Sequence, residues 1–317
     1  QPAIDSVSLI ILTNPHVNLV QLPNGRWNVE ELIQKRKPEG PAFSGVVRVQ
    51  DGTADLVTAK GQWQFAQIKG NLDFRRQPAV KVNVQAVYNE SKIQAVGTVN
   101  NRQYDILTVD IDKIRIDDFK ALLPADSGCR LIGGELNKLT VTLKLENNTL
   151  TYAGETYLKD VAADFNNITL RNGQGMVAFT EQKLYLLATK AQIQVQNIEA
   201  HGQIAINGSQ PVVDLVVQSP GFDPRVIDAG LPFQGSVSFQ ANIKGIPSNP
   251  AISGDFYLEA GSISGYDIRR TSAKIRLIDK VLAIDNLQGT VFGGNITATG
   301  RVELESGQYY LKLGGQN

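Results

Sequence analysis

Ile93-Gln94-Ala95-Val96-Gly97-Thr98-Val99 returns as Ile198-Glu199-Ala200-His201-Gly202-Gln203-Ile204 and again as Ile296-Thr297-Ala298-Thr299-Gly300-Arg301-Val302. The shared form is Ile-x-Ala-x-Gly-x-(Val/Ile). A second phrase follows the first two copies. Tyr104–Pro124 ends Asp117-Asp118-Phe119-Lys120-Ala121-Leu122-Leu123-Pro124, and Val212–Pro232 ends Asp223-Pro224-Arg225-Val226-Ile227-Asp228-Ala229-Gly230-Leu231-Pro232. Copies spaced by roughly 100 residues are supersecondary blocks of several strands, stacked in series rather than closed into a ball.

Period-two alternation fills the sequence between these phrases. Val80, Val82, Val84 and Ala86 alternate with Lys81, Asn83 and Gln85; Val237, Phe239, Ala241 and Ile243 alternate with Ser238, Gln240 and Asn242. Successive strand side chains point to opposite faces, so each segment has one apolar and one polar face. Turn signals separate the runs: Asn24-Gly25, Asp51-Gly52, Asn147-Asn148, Asn172-Gly173, Asn207-Gly208, Gly293-Gly294-Asn295 and Ser306-Gly307. They supply the positive φ of tight hairpins. Helix is scarce. Asn28 to Lys37 is the best candidate, with Asn28 as N-cap, and Asp117–Leu123 and Asp223–Ala229 read as one- or two-turn segments stopped at Leu-Pro.

A β-sandwich closes at about 100 residues. Here the amphipathic meander runs on through 317 residues without linkers. The expected fold is all-β: one elongated, twisted and bent antiparallel sheet built of repeats, with one or more short helices. Its parts are 1–45 (N-terminal strands and short helix), 46–124, 125–232 and 233–317 (three repeats). Gly97, Gly202 and Gly300, at one place in each repeat, suit a recurrent bend or bulge. The chain begins and ends inside the pattern, so a fragment of a longer protein is expected.

Composition removes several functions. Thirty-one basic residues balance 31 acidic ones, which gives no nucleic-acid footprint. Cys129 is the single cysteine, which excludes an internal disulfide and any multi-cysteine zinc site. No apolar run nears the ~18 residues of a membrane-spanning helix. The two histidines are His16 and His201. His201 occupies a variable position of the repeat, where the other copies carry Val96 and Thr299, and His16, following Pro15 before a strand, has no nearby partner carboxylate. Asp110 and Asp112 share a strand face, with Lys113 and Arg115 placed to neutralise them. Glycine pairs are not followed by helices and cannot cradle phosphate. Arg75-Arg76 and Arg269-Arg270 read as solvated turn-adjacent pairs. No catalytic residue, metal ligand or cofactor site is assigned, and the chain is not expected to be an enzyme.

Ile4-Asp5-Ser6-Val7-Ser8-Leu9, Asn14-Pro15-His16-Val17-Asn18-Leu19 and Pro23-Asn24-Gly25-Arg26-Trp27-Asn28-Val29-Glu30-Glu31-Leu32-Ile33 together resemble the opening stretch of AsmA-like superfamily proteins. The nearest resemblance is to the TamB-type translocation and assembly modules. Phe292-Gly293-Gly294-Asn295-Ile296-Thr297-Ala298-Thr299-Gly300 is similar to a phrase recurrent in the same group. The resemblance implies a β-taco enclosing an apolar groove, held in the periplasm of a diderm bacterium. It further implies an inner-membrane anchor through an N-terminal helix not in this sequence, phospholipids as cargo, outer-membrane biogenesis as the process, and an Omp85-type outer-membrane barrel as partner.

Physical chemistry agrees with such cargo. Exposing two acyl chains to water costs on the order of 20 kcal/mol at about 0.8 kcal/mol per CH₂. A continuous apolar trough removes most of that cost and needs no nucleophile or metal. The alternation puts Val82, Val84, Ile93, Ala95, Leu143, Leu145, Ile204, Ile206, Leu215, Phe239, Leu258, Ile296 and Val302 on the groove lining. The competing expectations are a dry packed core and a structural envelope spacer, interaction scaffold or outer-membrane protein assembly factor without lipid transport.

Overall fold

The computed structural model describes residues 7–28, 43–59, 61–100, 105–118, 129–146, 149–165, 168–206, 210–226 and 229–316. It is all-β. Nineteen strands form one hydrogen-bonded sheet, and almost every pairing is antiparallel between strands adjacent in sequence.

The chain divides into two compact units, Gln1–Ser127 with Glu135–Thr156, and Gly128–Gly134 with Tyr157–Asn317. The first holds β1 (Leu9–Thr13), β2 (His16–Val20), β3 (Val46–Thr58), β4 (Gly61–Arg76), β5 (Ala79–Tyr88), β6 (Ser91–Asn100) and β7 (Asp105–Arg115). Strands β8 (Cys129–Glu146) and β9 (Thr149–Phe165) contribute residues to both. The second holds β10 (Ile168–Thr180), β11 (Lys183–Ile193), β12 (Gln196–Ala205), β13 (Val212–Phe222), β14 (Phe233–Ile246), β15 (Asn249–Ile263), β16 (Tyr266–Ile278), β17 (Val281–Val291), β18 (Gly294–Glu303) and β19 (Tyr309–Gln316).

The three Ile-x-Ala-x-Gly copies lie in β6, β12 and β18, so the repeat is six strands long. Its glycines have one physical task. A Cβ on Gly97 would lie 2.1 Å from the Ile106 carbonyl oxygen, on Gly202 2.2 Å from that of Asp214, and on Gly300 2.5 Å from that of Tyr310. Each lets the following strand close in. In β12 and β18 the preceding strand also carries a bulge beside the motif, between Leu186 and Thr189 and between Ile284 and Leu287. At β6 the ladder with β5 is regular, so the bulge recurs in two copies and the close approach in all three.

Two expected hairpin turns are bulges. Asp51 (φ 52°) lies inside β3 and Asn172 (φ 51°) inside β10, each at a register shift. A bulge demands the same positive φ as a tight turn, which is why the residue types misled. The β3 bulge is where β1 hands over to β2: both pair parallel with β3, and Asn14 N–H donates to Gln50 O while Thr53 N–H donates to Pro15 O.

Helical structure among the described residues is limited to 3-10 turns, at 116–118 and Pro224–Val226. Asp223 Oδ1 accepts the Arg225 N–H at 3.0 Å, as an N-cap does, and the 3-10 turn Pro224–Val226 follows it; residues 227 and 228 lie outside the described residues. The rest of the Asp117 segment and all of Asn28–Lys37 except Asn28 lie outside the described residues. Asn28 itself is tied to β2: its backbone N–H donates to Val20 O, its Nδ2 to Asn18 O, and its Oδ1 accepts from Val20 N–H.

Candidate functional site

Directly paired residues on neighbouring strands share a face, so the registers assemble the apolar side row by row. In the first unit one row reads Leu72, Val82, Gly97, Leu107, Leu143, and the next Gly70, Val84, Ala95, Val109, Val141. Ile93 lies between Ala86 and Ile111 in a third. In the second unit a row runs across ten strands: Val177, Leu186, Gly202, Leu215, Ile243, Ile252, Leu277, Leu282, Val302, Tyr309. At about 4.8 Å per strand this is some 40 Å of continuous apolar surface.

That surface is only half-covered. Val82, Val84, Ile93, Ala95, Leu143, Ile204, Leu215, Phe239, Ile296 and Val302 are half-buried, while paired positions on the other face are largely exposed. Among the described elements every extensive strand contact is with a ladder neighbour. In a sandwich these side chains would close against a second sheet; here the covering comes from their own sheet. Three expected lining residues differ. Leu258 is 4% exposed, closed over Gly235 and Gly261, where an added Cβ would come within 3.0 and 3.2 Å of its Cδ1. Leu145 and Ile206 are exposed, at the end of β8 and just past β12.

A file of aromatic rings crosses the second unit's apolar face. Phe222 and Phe239 meet edge to face at 5.8 Å, and Phe239 stacks on Phe256 at 5.8 Å. Phe239 was legible from alternation; Phe222 and Phe256 join it through register. In the first unit Tyr88, Ile114, Ile116 and Leu139 are each buried, and burial, reinforced by Asp118, pushes the Tyr88 hydroxyl's pKa up.

The opposite face is a lattice of cross-strand ion pairs: Lys190–Glu199 at 2.7 Å, Lys244–Asp214 at 3.2 Å, Lys274–Asp255 at 3.8 Å and Arg276–Asp285 at 2.5 Å. Hydrogen bonds from Lys190 and Gln218 hold the Glu199 carboxyl below its ordinary range, and Arg276 and Arg225 do the same for Asp285 and Asp223. Arg269 lies on this face, opposite Thr290.

Two charge assignments need correction. His16 does have a carboxylate: Nε2 lies 3.4 Å from Asp55 Oδ2, and Nδ1 is 2.9 Å from Thr53 Oγ1. The parallel β2–β3 pairing brings them together. Lys113 and Arg115 do not neutralise Asp110 and Asp112; Lys113 reaches Glu135 at 3.4 Å, Arg115 reaches Asp117 at 3.0 Å, and Asp110 accepts from Thr140 Oγ1 at 2.7 Å. No group of three or more metal-ligating side chains occurs among the described residues. Compared with known proteins, the chain matches no family model, no curated protein and no solved structure.

Proposed function

We propose that this chain binds phospholipid acyl chains along its apolar face and conducts them from strand to strand. The observation that carries the proposal is the ten-strand row, whose members Leu215, Ile243, Ile252, Leu277 and Leu282 are apolar yet only half-buried. A contiguous apolar row that crosses ten strands is the kind of surface that marks a ligand-binding groove or an interaction site. Its contacts are shallow and similar from one strand to the next, so a bound chain meets no single deep minimum and can slide. Under this proposal the protein is an AsmA-like, TamB-type bridge in the periplasm, anchored to the inner membrane in its full length. It would pass phospholipids toward an Omp85-type outer-membrane barrel and support outer-membrane biogenesis, with no enzymatic step.

Lipid extraction and native mass spectrometry of the purified chain test the proposal, followed by uptake of fluorescent phosphatidylethanolamine. Co-purifying phospholipid is expected, and Leu143→Asp or Val82→Asp is expected to reduce uptake with far-UV circular dichroism unchanged. A chain that carries no lipid and takes up none would instead behave as an envelope spacer, and the proposal would fail.

A further inference from the structure

The two rims of the second unit differ. Connections β10–β11, β12–β13, β14–β15, β16–β17 and β18–β19 form one rim; the β10–β11, β16–β17 and β18–β19 turns with their flanking residues carry Glu181, Lys183, Asp279, Lys280, Glu303 and Glu305, and the sequences of the other two carry no charge. Turns β11–β12, β15–β16 and β17–β18 form the other. Their central residues are Gln194-Val195, Ser264-Gly265 and Phe292-Gly293, without a charge. Val195 is 84% and Phe292 82% exposed, and Phe292 meets Tyr266 of the adjacent hairpin edge to face at 5.9 Å. Phe292 holds φ 50°, a conformation bulky residues seldom adopt, to stand at that tip. In the longer β13–β14 connection on this rim Asp223 and Arg225 pair at 2.6 Å, and Asp228 lies outside the described residues.

Across β13 to β17 burial changes along the strands in the same sense, although Val177, near the charged end of β10, is buried too. Phe222, Leu258 and Ile268, toward the uncharged rim, are buried, whereas Ile252, Leu277 and Leu282, toward the charged rim, are half-buried. Hydrocarbon is therefore best accommodated toward Tyr266 and Phe292, and ions at the other end. The lengths fit. An 11-residue strand such as β17 spans roughly 37 Å, and an acyl chain covers about half of the ~30 Å bilayer core.

Resting on the function proposed above, we infer that phospholipid lies along the strands with its head group at the charged rim and its tails toward the aromatic file, and that this rim selects an amine-bearing zwitterionic head group. The selectivity follows from the charges: Lys183 and Lys280 stand against Glu181, Asp279, Glu303 and Glu305. Carboxylates in excess attract the ammonium of phosphatidylethanolamine and repel a head group that is only anionic. Lys280 pairs with Glu305, and Ser306 Oγ donates to Glu303, which holds both acids at the rim.

Two phosphatidylethanolamine probes, one with a diazirine at the acyl terminus and one with it on the head group, test the orientation on the intact chain, with labelled residues mapped by mass spectrometry. Terminal-acyl label is expected around Phe239 and Phe256, and head-group label around Asp279, Lys280 and Ser248. Head-group label at Tyr266 and Phe292, or equal label at both rims, would overturn the orientation while leaving lipid binding intact. No label on the apolar face from either probe would overturn lipid binding itself. For selectivity, uptake of phosphatidylethanolamine over phosphatidylglycerol at low salt is expected at about two- to fivefold, the scale of exposed charge pairs. Glu303→Lys with Glu305→Lys should abolish or invert it. An unchanged ratio in this folded double variant would refute the head-group assignment.

Discussion

Gly202→Ala puts the close approach of strands to a direct test. The added Cβ would sit 2.2 Å from Asp214 O and 2.9 Å from the Leu215 Cα, on a backbone with φ +135°. An ordinary carbon–oxygen contact needs more than 3 Å, so β13 must retreat by about 1 Å against the ladders on both its sides, at a cost of about 1–3 kcal/mol for overpacking. The backbone conformation adds about 1–3 kcal/mol for any residue with a Cβ. A combined loss near 3 kcal/mol lowers the thermal midpoint of a unit of this size by roughly 6–12 °C. Gly133→Ala is the control, since nothing lies within 4 Å of its Cβ position and its φ is unstrained; its midpoint should stay near wild type. Gly300→Ala should fall between the two. Its Cβ would meet Tyr310 O at 2.5 Å, but among the described residues β19 is laddered only to β18 and can yield. Thermal melts followed by far-UV circular dichroism rank the three. Should Gly202→Ala melt with Gly133→Ala, the conserved spacing of the motif would have no steric basis in this sheet.

Leu258→Ala removes a side chain closed over two glycines and should cost about 2–5 kcal/mol by urea unfolding, more than Leu282→Ala on the open part of the same face. His16→Ala should cost less than about 1 kcal/mol, because the contact with Asp55 is exposed and screened. Acid should weaken the fold. Asp223, Asp285 and Glu199 have folded-state pKa values below their unfolded ones. Their stabilisation is full above the unfolded value of about 4 and is lost as pH falls through the depressed folded values. The thermal midpoint is expected to be flat between about pH 5 and 7 and to drop below pH 4, less steeply in high salt; a midpoint that rises on acidification would contradict these pairs.

Alternation was enough to read most of the strands, because a period of two in side-chain direction is written residue by residue. Val82 with Val84, and Ile296 with Val302, fall on one face for that reason. Register is written nowhere so locally. That Leu215 lies beside Ile243, or Phe239 between Phe222 and Phe256, depends on bulges at sites such as Leu186/Thr189 and Ser219/Phe222. Asp51-Gly52 and Asn172-Gly173 read as turns because the backbone asks the same φ of a bulge. The His16–Asp55 contact was hidden by parallel pairing across 39 positions, a connection that no hairpin signal announces. Leu258 alternates like its neighbours, and its closure depends on glycines at 235 and 261 that only the fold brings beneath it.

A repeat of six strands is an even number, and evenness has a consequence for how such a chain can grow. From β12 to β18 the polypeptide returns to the same heading, so a duplicated sextet places its charged bends over charged bends and its aromatic tips over aromatic tips. Gain or loss of an odd number of strands would reverse every later hairpin and interleave the two kinds of edge. Length in this architecture is therefore adjustable in whole sextets or strand pairs, while polarity across the ribbon is inherited unchanged.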